Sequence, residues 1–310
     1  MKWILHITNI DLSNRNSITG IGLAFLAVFI WSGNFIAARS MNGHIPPVSL
    51  AFYRWLSASI ILFPFAFRKI KTEWAAIKRS WHYLFWVSLT GITLFNTFVY
   101  IGGQYTTAIN LALIGTTSSP VMAIIMAHFF LKEKIGFFKM VSIFFCLAGV
   151  ILILSKRSFQ NILKFHFDKG DLWVLAAAFC FAVYNTLVKK KPTAISHISF
   201  LSVVFLAGTI ILFPLYIFEI NRSTPVSWNI NLLLVILYLG LGASVICFFI
   251  WNIAIHKIGA ARTVLFGNLI PVFTSIEAVF FLHEKFTFVH IISMMLVFVG
   301  LLLANLQVKP

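Results

Sequence analysis

Two stretches of this chain, SSPVMAIIMAHFFLKEK (118–134) and NLIPVFTSIEAVFFLHEK (268–285), share one pattern. In each, a proline stands thirteen residues before a glutamate, and most of the residues between them are apolar. A shift of 151 residues superposes the two stretches and extends well beyond them. It also aligns the pairs Asn34 and Asn185, Gly91 and Gly242, Pro120 and Pro271, Glu133 and Glu284, and Gly149 and Gly300. The chain therefore contains the same unit twice, without a gap.

The composition indicates a membrane protein. Of the 310 residues, 60% are hydrophobic and 10% are charged, whereas soluble domains have roughly 25% charged residues. Several uninterrupted apolar runs reach the roughly 20 residues that a bilayer-spanning helix needs. The net charge of +16 comes from short basic clusters between these runs, so it indicates topology rather than nucleic-acid binding. The three cysteines lie within apolar runs without metal-site spacing.

Charges, prolines and glycines divide the chain into ten predicted spans. Their approximate extents are 18–38, 48–67, 82–102, 107–131, 136–154, 171–188, 197–218, 231–254, 260–282 and 288–306. The Lys and Arg residues of the loops are concentrated on the side of the N-terminus, which places both termini in the cytoplasm. We predict a cytoplasmic segment (1–17), a first five-helix repeat (18–154), a connecting loop (155–169), a second repeat (170–306) and a short tail (307–310).

The number of spans in each repeat decides their relative orientation. Because five is odd, the second repeat enters the membrane the opposite way round. The predicted fold is therefore all-α, with ten transmembrane helices arranged as two inverted five-helix repeats around a central cavity. Inverted repeats allow a carrier to open alternately to the two sides of the membrane. A duplication that serves packing alone is the competing explanation.

The residues IWSGNFIAAR (30–39), PPVSLAFYRW (46–55) and the two repeat stretches resemble the EamA-type carriers of the drug/metabolite transporter superfamily. The likeness covers nearly the whole chain. It implies ten helices around a cavity lined by spans one to four and six to nine, with five and ten more peripheral. It also implies export of small metabolites, often amino acids, or of toxic compounds.

The prolines predict irregular helices near mid-membrane. Each proline lacks a backbone N–H and crowds the carbonyl group four residues earlier, so spans four and nine are expected to be bent or bendable. Pro120, Pro271 and the neighbouring Asn268 are the predicted kink residues, and a simple packing kink remains the alternative. Glu133 and Glu284 are expected to orient the turns that follow them, without contacting a solute.

Two opposite charges lie within spans, where ionised groups are costly and usually functional. Arg54 and Glu277 lie at similar depth below the external ends of spans two and nine. We hypothesise that they pair, so as to close the outer side of the cavity, or that Arg54 binds a substrate carboxylate when Glu277 is protonated or displaced. A static pair that fixes helix packing explains them equally well. Glu277 is also the candidate for proton coupling, because burial favours the neutral acid.

Uncharged polar and aromatic side chains complete the predicted site. Asn34, Asn185 and Asn96 either line a hydrated cavity or hydrogen-bond between helices. Trp31, Tyr100 and Trp251 could stack on a flat solute or bind a cation through their ring faces, and an interfacial aromatic belt is the alternative.

The sequence thus predicts a secondary transporter of the inner (cytoplasmic) membrane. Its expected solute is a small metabolite, an amino acid or a related compound, exported by alternating access. An exporter of toxic organic cations or drugs is the alternative, followed by a channel or a membrane enzyme. No catalytic motif appears, so we expect no enzyme activity, no cofactor and no metal. The expected partners are the solute, the lipid bilayer, a coupled proton and a second copy of the chain.

Overall fold

The computed structural model describes residues 15–132, 136–154 and 168–305, which are almost entirely helical. In chain order the helices are α1 (Arg15–Ser40), α2 (Pro47–Arg79), α3 (Trp81–Gly103), α4 (Ala108–Leu131), α5 (Phe137–Leu154), α6 (Lys169–Val188), α7 (His197–Ile220), α8 (Ile230–Ile258), α9, which has two parts (Ala260–Gly267 and Ile270–Leu282), and α10 (Phe288–Asn305). These ranges contain no β-strand. The prediction of an all-α integral membrane fold is confirmed.

Eight of these helices are long and apolar enough to cross a bilayer. They are α1 to α4 and α6 to α9, while α5 and α10 are equally apolar but shorter. A helix of 18 residues is roughly 27 Å long, slightly less than the roughly 30 Å of a bilayer core. That all ten helices span the membrane stays a prediction.

Helix α2 continues well past the predicted end of span two at residue 67. It has 33 residues and ends at Arg79, which makes it roughly 50 Å long. Because a bilayer core is only about 30 Å thick, its last turns extend beyond the core. Basic residues such as Arg68 and Lys69 therefore mark the membrane boundary and do not end the helix.

The two repeats pack in a reciprocal way. Helix α1 packs against α8 and α9, and its repeat equivalent α6 packs against α3 and α4, the equivalents of α8 and α9. The remaining equivalents pack in pairs: α2 with α7, α4 with α9 and α5 with α10. These pairings are unchanged when the repeats are exchanged, as an approximate two-fold axis requires. The inverted orientation of the repeats in the bilayer stays a prediction.

Helices α5 and α10 meet through their equivalent glycines. A Cβ atom on Gly149 would lie 2.8 Å from Val297 Cγ2, and one on Gly300 would lie 2.7 Å from Cys146 Sγ. The Ser293 hydroxyl donates a hydrogen bond of 2.6 Å to the Gly149 carbonyl group. Within this chain the two glycines therefore allow the close approach of two helices.

Helices α3 and α8 each contain a π-helical segment at an equivalent position. The segments are Leu89–Leu94 and Tyr238–Ile246, and a shift of 151 residues places the first inside the second. In the first segment, the ring of Tyr184 packs so tightly against Gly91 that a Cβ atom there would lie 2.1 Å from its Cδ2. Such wide turns often occur at functional sites.

The two prolines of the repeat have different effects. Helix α4 continues through Pro120 without interruption, whereas α9 is interrupted by a turn at Asn268 and Leu269, immediately before the part that contains Pro271. The expected irregularity is therefore present in α9, whereas α4 has no break at its proline. In α4, the hydroxyl group of Thr116 donates to the Ala112 carbonyl group at 2.6 Å.

Three glutamates cap helix N-termini that belong to the other repeat. Glu219, at the end of α7, accepts hydrogen bonds from the backbone N–H groups of Val48 and Ser49 in α2. Glu73, near the end of α2, accepts from the N–H and hydroxyl groups of Ser196, directly before α7. Negative charge at a helix N-terminus is favourable, because the exposed N–H groups there lack partners.

The third of these glutamates is Glu284, in the turn between α9 and α10. Its carboxylate accepts from the N–H groups of Ala108 at 2.8 Å and Ile109 at 3.2 Å, at the start of α4. Glu284 thus connects its own turn to the first repeat, in addition to the predicted role of orienting the turn into α10. Its repeat equivalent, Glu133, lies outside the described residues.

Candidate functional site

Arg54 lies at the centre of a buried polar cluster formed by four helices. Its side chain, only 4% exposed, extends from α2 towards α1, α3 and α8. The Nη1 atom lies 2.6 Å from Asn34 Oδ1, 2.8 Å from Asn96 Oδ1 and 2.8 Å from Tyr100 Oη. The Nε atom donates to Ser244 Oγ at 3.1 Å. Three of the four partners belong to the first repeat and Ser244 belongs to the second.

The groups that surround the Arg54 guanidinium are uncharged: its hydrogen-bond partners and the ring of Trp55, whose centroid lies 4.7 Å from Arg54 Cζ. Within the described residues its guanidinium forms no ion pair, and its Nη2 atom donates no hydrogen bond. The Nδ2 atom of the adjacent Asn34 also has no acceptor there. A buried charge is expensive unless it is paired, and the planar guanidinium group matches the geometry of a carboxylate. The cluster therefore has the chemistry of a binding site for an oxyanion.

The equivalent positions in the other repeat form no such cluster. Arg54 aligns with Phe205, which packs between Trp55 and Phe248 at ring-centroid distances of 4.7 and 5.7 Å. Asn185, the equivalent of Asn34, is half-buried, and its side chain forms no hydrogen bond within the described ranges. Of these two equivalent sets of positions, only the one around Arg54 therefore provides a buried cation.

An aromatic group lies next to the cluster. The ring of Trp31 packs against Trp251 and Phe248, at centroid distances of 5.0 and 5.7 Å. Its Nε1 atom donates a hydrogen bond of 2.9 Å to the carbonyl group of Ala243, the residue before Ser244. Two of the predicted aromatic residues, Trp31 and Trp251, are therefore in direct contact, although neither hydrogen-bonds to Arg54.

Glu277 lies elsewhere, between α1 and α9. Its Oε1 atom accepts a hydrogen bond of 2.7 Å from Ser32 Oγ, and its buried Oε2 atom has no hydrogen-bond partner among the described residues. The residue is 8% exposed. Thr274, one turn earlier in α9, donates to the backbone carbonyl group of Ser32 at 3.3 Å.

The hypothesised ion pair between Arg54 and Glu277 is not formed in this structure. Ser32, which bonds to Glu277, and Asn34, which bonds to Arg54, are two residues apart in α1. Side chains at that spacing leave a helix about 200° apart. The two charged groups therefore lie on opposite sides of α1, and similar depth along the helices does not bring them together.

Tyr238 of α8 contacts α1 between these two sides. Its hydroxyl group donates to the carbonyl group of Ile30 and lies directly against Gly33. The residue is near enough to both Glu277 and Arg54 to interact with their charges. It also begins the π-helical segment of α8 that contains Ser244.

A shallow cleft approaches the cluster from the turn between α1 and α2. Its lining includes Ala38, Asn42, Ile45, Tyr100 and Gln104. Tyr100 is 1% exposed, and its hydroxyl group donates to Asn34 at 3.0 Å. The ring of Tyr100 thus separates this cleft from Arg54.

The predicted residues therefore fall into three groups. Arg54, Asn34, Asn96 and Tyr100 are brought together, Trp31 and Trp251 lie beside them, and Glu277 and Asn185 lie apart. The sequence reading missed Ser32, Ser244 and Tyr238. For Ser244 the repeat carries a signal, because the residue aligns with Thr93, another hydroxyl within a span. Among the described residues, no group of three His, Cys, Asp or Glu side chains could hold a metal ion.

Comparison with known proteins identifies relatives along the whole chain. The model of the EamA-like transporter family matches twice, at residues 18–155 and 168–306. An uncharacterized transporter of Archaeoglobus fulgidus is 31% identical over 273 residues, which cover 87% of this chain and 91% of the relative. The uncharacterized transporter YyaM of Bacillus subtilis is 28% identical, covering 92% of this chain and 93% of the relative.

Two further matches concern a named solute and a solved structure. The S-adenosylmethionine uptake transporter of Rickettsia felis is 26% identical over 273 residues, covering 87% of this chain and 86% of that protein. One crystal structure superposes with a TM-score of 0.61 over 92% of this chain and 96% of the other chain. Its sequence is 18% identical, so this likeness concerns the fold alone.

Proposed function

This chain belongs to the EamA-like transporter family and is a multi-pass membrane transporter, and we propose that it carries a small metabolite with a carboxylate group. An amino acid or a related compound fits this description. The observation that supports the proposal is the Arg54 cluster, which buries a cation with an unused N–H edge and without a counter-ion. A solute carboxylate would supply the missing negative charge.

Transport proceeds by alternating access in this proposal. Arg54 receives the solute carboxylate, and the neutral partners of Arg54 stabilise the guanidinium while the site is empty. Because those partners lie on α1, α3 and α8, a movement of α1 changes the environment of Arg54. Binding of the solute can thus favour one arrangement of these helices over another, which is what a carrier requires.

The remaining features follow the sequence predictions. The protein resides in the inner membrane with both termini in the cytoplasm, and it exports its solute. A comparison of metabolites in the medium and the cytosol, with and without the protein, tests the direction. Proton coupling and a homodimer also stay predictions; α5 and α10 pack on each other within the chain, so a second copy would contact their outer faces.

Export of organic cations is the second candidate, because Trp31 and Trp251 could bind a cation through their ring faces and Glu277, when ionised, would supply the opposite charge. Arg54 argues against it, since a buried cation next to the aromatic group repels a cationic solute. S-adenosylmethionine, named for the Rickettsia felis relative, combines a positive charge with an amino-acid carboxylate and therefore belongs in the test.

The test is counterflow into liposomes that contain the purified protein. Radiolabelled amino acids and S-adenosylmethionine are compared with amines that lack the carboxylate group, and with a quaternary ammonium compound. We expect saturable counterflow only for solutes that carry a carboxylate. Equal transport of an amino acid and its decarboxylated amine would contradict the proposal.

Substitution of Arg54 provides the matched test of the residue. Removing one partner of a buried charge pair costs about 2–5 kcal/mol, so Arg54→Met should weaken solute binding by about thirtyfold or more. Arg54→Lys keeps the charge but loses the planar guanidinium group, and should give an intermediate loss of solute affinity. Arg222→Met is the control, because Arg222 is exposed and packs on the Phe218 ring.

A further inference from the structure

Glu277 is the buried acid that the solute site leaves unused. One carboxylate oxygen accepts from Ser32, and the other is buried without a hydrogen-bond partner in the part of the chain that the structure describes. No described residue forms an ion pair with it. An ionised carboxylate in such surroundings is costly, because a single hydroxyl group replaces the water that it would have outside the protein. Protonation of Oε2 removes the charge and leaves the bond from Ser32 intact.

The groups that face Glu277 do not supply a compensating cation. From α1 it meets Ser32, from its own helix α9 it has Thr274 one turn away, and from α8 the nearby titratable group is Tyr238, which is neutral at physiological pH. Helix α4 also packs against α9; it contains no Asp, Glu, Lys or Arg, and its titratable residue, His128, lies in its last turn. Among the described residues the buried Lys or Arg is Arg54, and it lies on the opposite side of α1, where its hydrogen bonds go to other residues.

We infer that Glu277 and Ser32 form a proton-binding site that is separate from the solute site and coupled to it through α1. The inference rests on the proposed transport function. The proton binds to Oε2, and it leaves to water when this region opens to one side of the membrane. The ionised carboxylate then needs further hydrogen-bond donors, which it obtains when α1 and α9 move apart and admit water.

Helix α1 provides the physical connection between the two sites. Ser32 and Asn34 lie on its opposite sides, and Gly33 lies between them, in contact with Tyr238. A displacement of α1 away from α9 therefore also moves Asn34 relative to Arg54. Because the two sites are distinct, the proton and the solute do not compete for one group, and the coupling is mechanical.

This arrangement predicts that Glu277→Gln separates transport from coupling. The glutamine mimics the protonated acid and can still accept a bond from Ser32. In liposomes, counterflow of the radiolabelled amino acids should stay within about twofold of the unmodified protein, since the solute site is intact. Accumulation driven by a gradient of about one pH unit, which can reach about tenfold for one proton per solute, should disappear.

Two control variants distinguish the possible failures. Arg54→Met should lose both counterflow and gradient-driven accumulation, whereas Arg222→Met, which lies outside both sites, should keep both. Ser32→Ala, within the proton site, should shift the pH at which accumulation is half-maximal. If folded Glu277→Gln loses counterflow, Glu277 belongs to the solute site and the inference is wrong. Gradient-driven accumulation that survives in Glu277→Gln also overturns it.

A spectroscopic measurement tests the proton site even if the solute class is wrong. Infrared spectra of the reconstituted protein should contain the band of a protonated carboxyl group at neutral pH, shifted in heavy water and missing from Glu277→Gln. Glu284→Gln is the comparison variant, because both oxygens of that carboxylate accept backbone hydrogen bonds at the start of α4 and its replacement should leave the band unchanged. Identical spectra for the unmodified protein and Glu277→Gln would refute the proton site, whatever the transport assays show.

Discussion

Replacing Gly33 by alanine should destabilise the protein, although alanine is the better helix former. A Cβ atom at this position would lie 2.1 Å from the Tyr238 hydroxyl oxygen and 2.9 Å from its Cζ atom. The same hydroxyl group donates to the carbonyl group of Ile30. The tyrosine ring must therefore move away from α1 and give up this hydrogen bond.

The magnitude follows from three contributions. Overpacking of a well-packed interior costs about 1–3 kcal/mol, and loss of the hydrogen bond costs about 0.5–1.5 kcal/mol. Exchange of glycine for alanine within a helix, in contrast, stabilises the helix by about 1 kcal/mol. The free energy of unfolding should thus fall by about 0.5–3.5 kcal/mol.

Gly22→Ala in the same helix is the matched control, since a Cβ atom there has no neighbour within 4 Å. This variant should be more stable than the unmodified protein, by up to about 1 kcal/mol. The measurement is reversible unfolding of the purified protein by SDS in mixed micelles, followed by tryptophan fluorescence. Tyr238→Phe removes the oxygen that lies nearest to the new methyl group. The double variant Gly33→Ala with Tyr238→Phe should therefore lose less stability than the sum of the two single variants.

The outcome that refutes this reasoning is equal stability of Gly33→Ala and Gly22→Ala. Tyr238 would then not lie against α1 as described. The separation of Arg54 from Glu277 by α1 would lose one of its supports.

Three further predictions concern other parts of the molecule. Glu284→Gln should speed amide hydrogen exchange at the start of α4 (residues 108–109) about fivefold, the equivalent of about 1 kcal/mol for a weakened cap, and unchanged exchange there would show that the cap is unimportant. Accessibility labelling should place residues 136–139 and 283–287 on opposite sides of the membrane, and labelling from the same side would exclude inverted repeats. Gly300→Ala should separate α5 from α10 and lower the free energy of unfolding by up to about 2 kcal/mol, the overpacking cost less the helix-propensity gain of alanine, measured as for Gly33→Ala. A variant more stable than the unmodified protein would show that the neighbouring Cys146 side chain moves aside without cost.

Much of the fold is readable from the sequence because the bilayer imposes simple requirements. A spanning helix must be long, apolar and hydrogen-bonded internally, so composition alone identifies most of the helices. Duplication is readable because Pro120, Glu133 and Gly149 keep their spacing in the second half. Helix ends outside the bilayer obey no such requirement, and α2 accordingly extends twelve residues beyond the predicted limit of 67, to Arg79.

The candidate site could be predicted only in part, because a sequence indicates how deep a residue lies along a helix more directly than the direction in which its side chain points. Arg54, Asn34 and Asn96 attract attention as polar groups within spans, and they do meet. Arg54 and Glu277 lie at similar depth as well, yet α1 separates them. Hydroxyl residues such as Ser32 and Ser244 are too common in membrane helices to be distinguished before their neighbours are known.

The π-helical segments were not predicted for a related reason. An extra residue in one turn of α3 or α8 leaves hydrophobicity and length unchanged, so the pattern of the sequence is nearly the same with and without it. The alignment of Gly91 with Gly242 marks the place in both repeats, but glycines in membrane helices have several other uses.

The glutamate caps on α2 and α7 have a consequence for any large motion. Glu219 holds the beginning of α2, and Glu73, close to the end of α2, holds the beginning of α7. The two antiparallel helices are thereby connected at both ends, and Arg54 lies on one of them, α2. If the protein alternates between two open states, this connected pair of helices stays fixed while the other helices move relative to it.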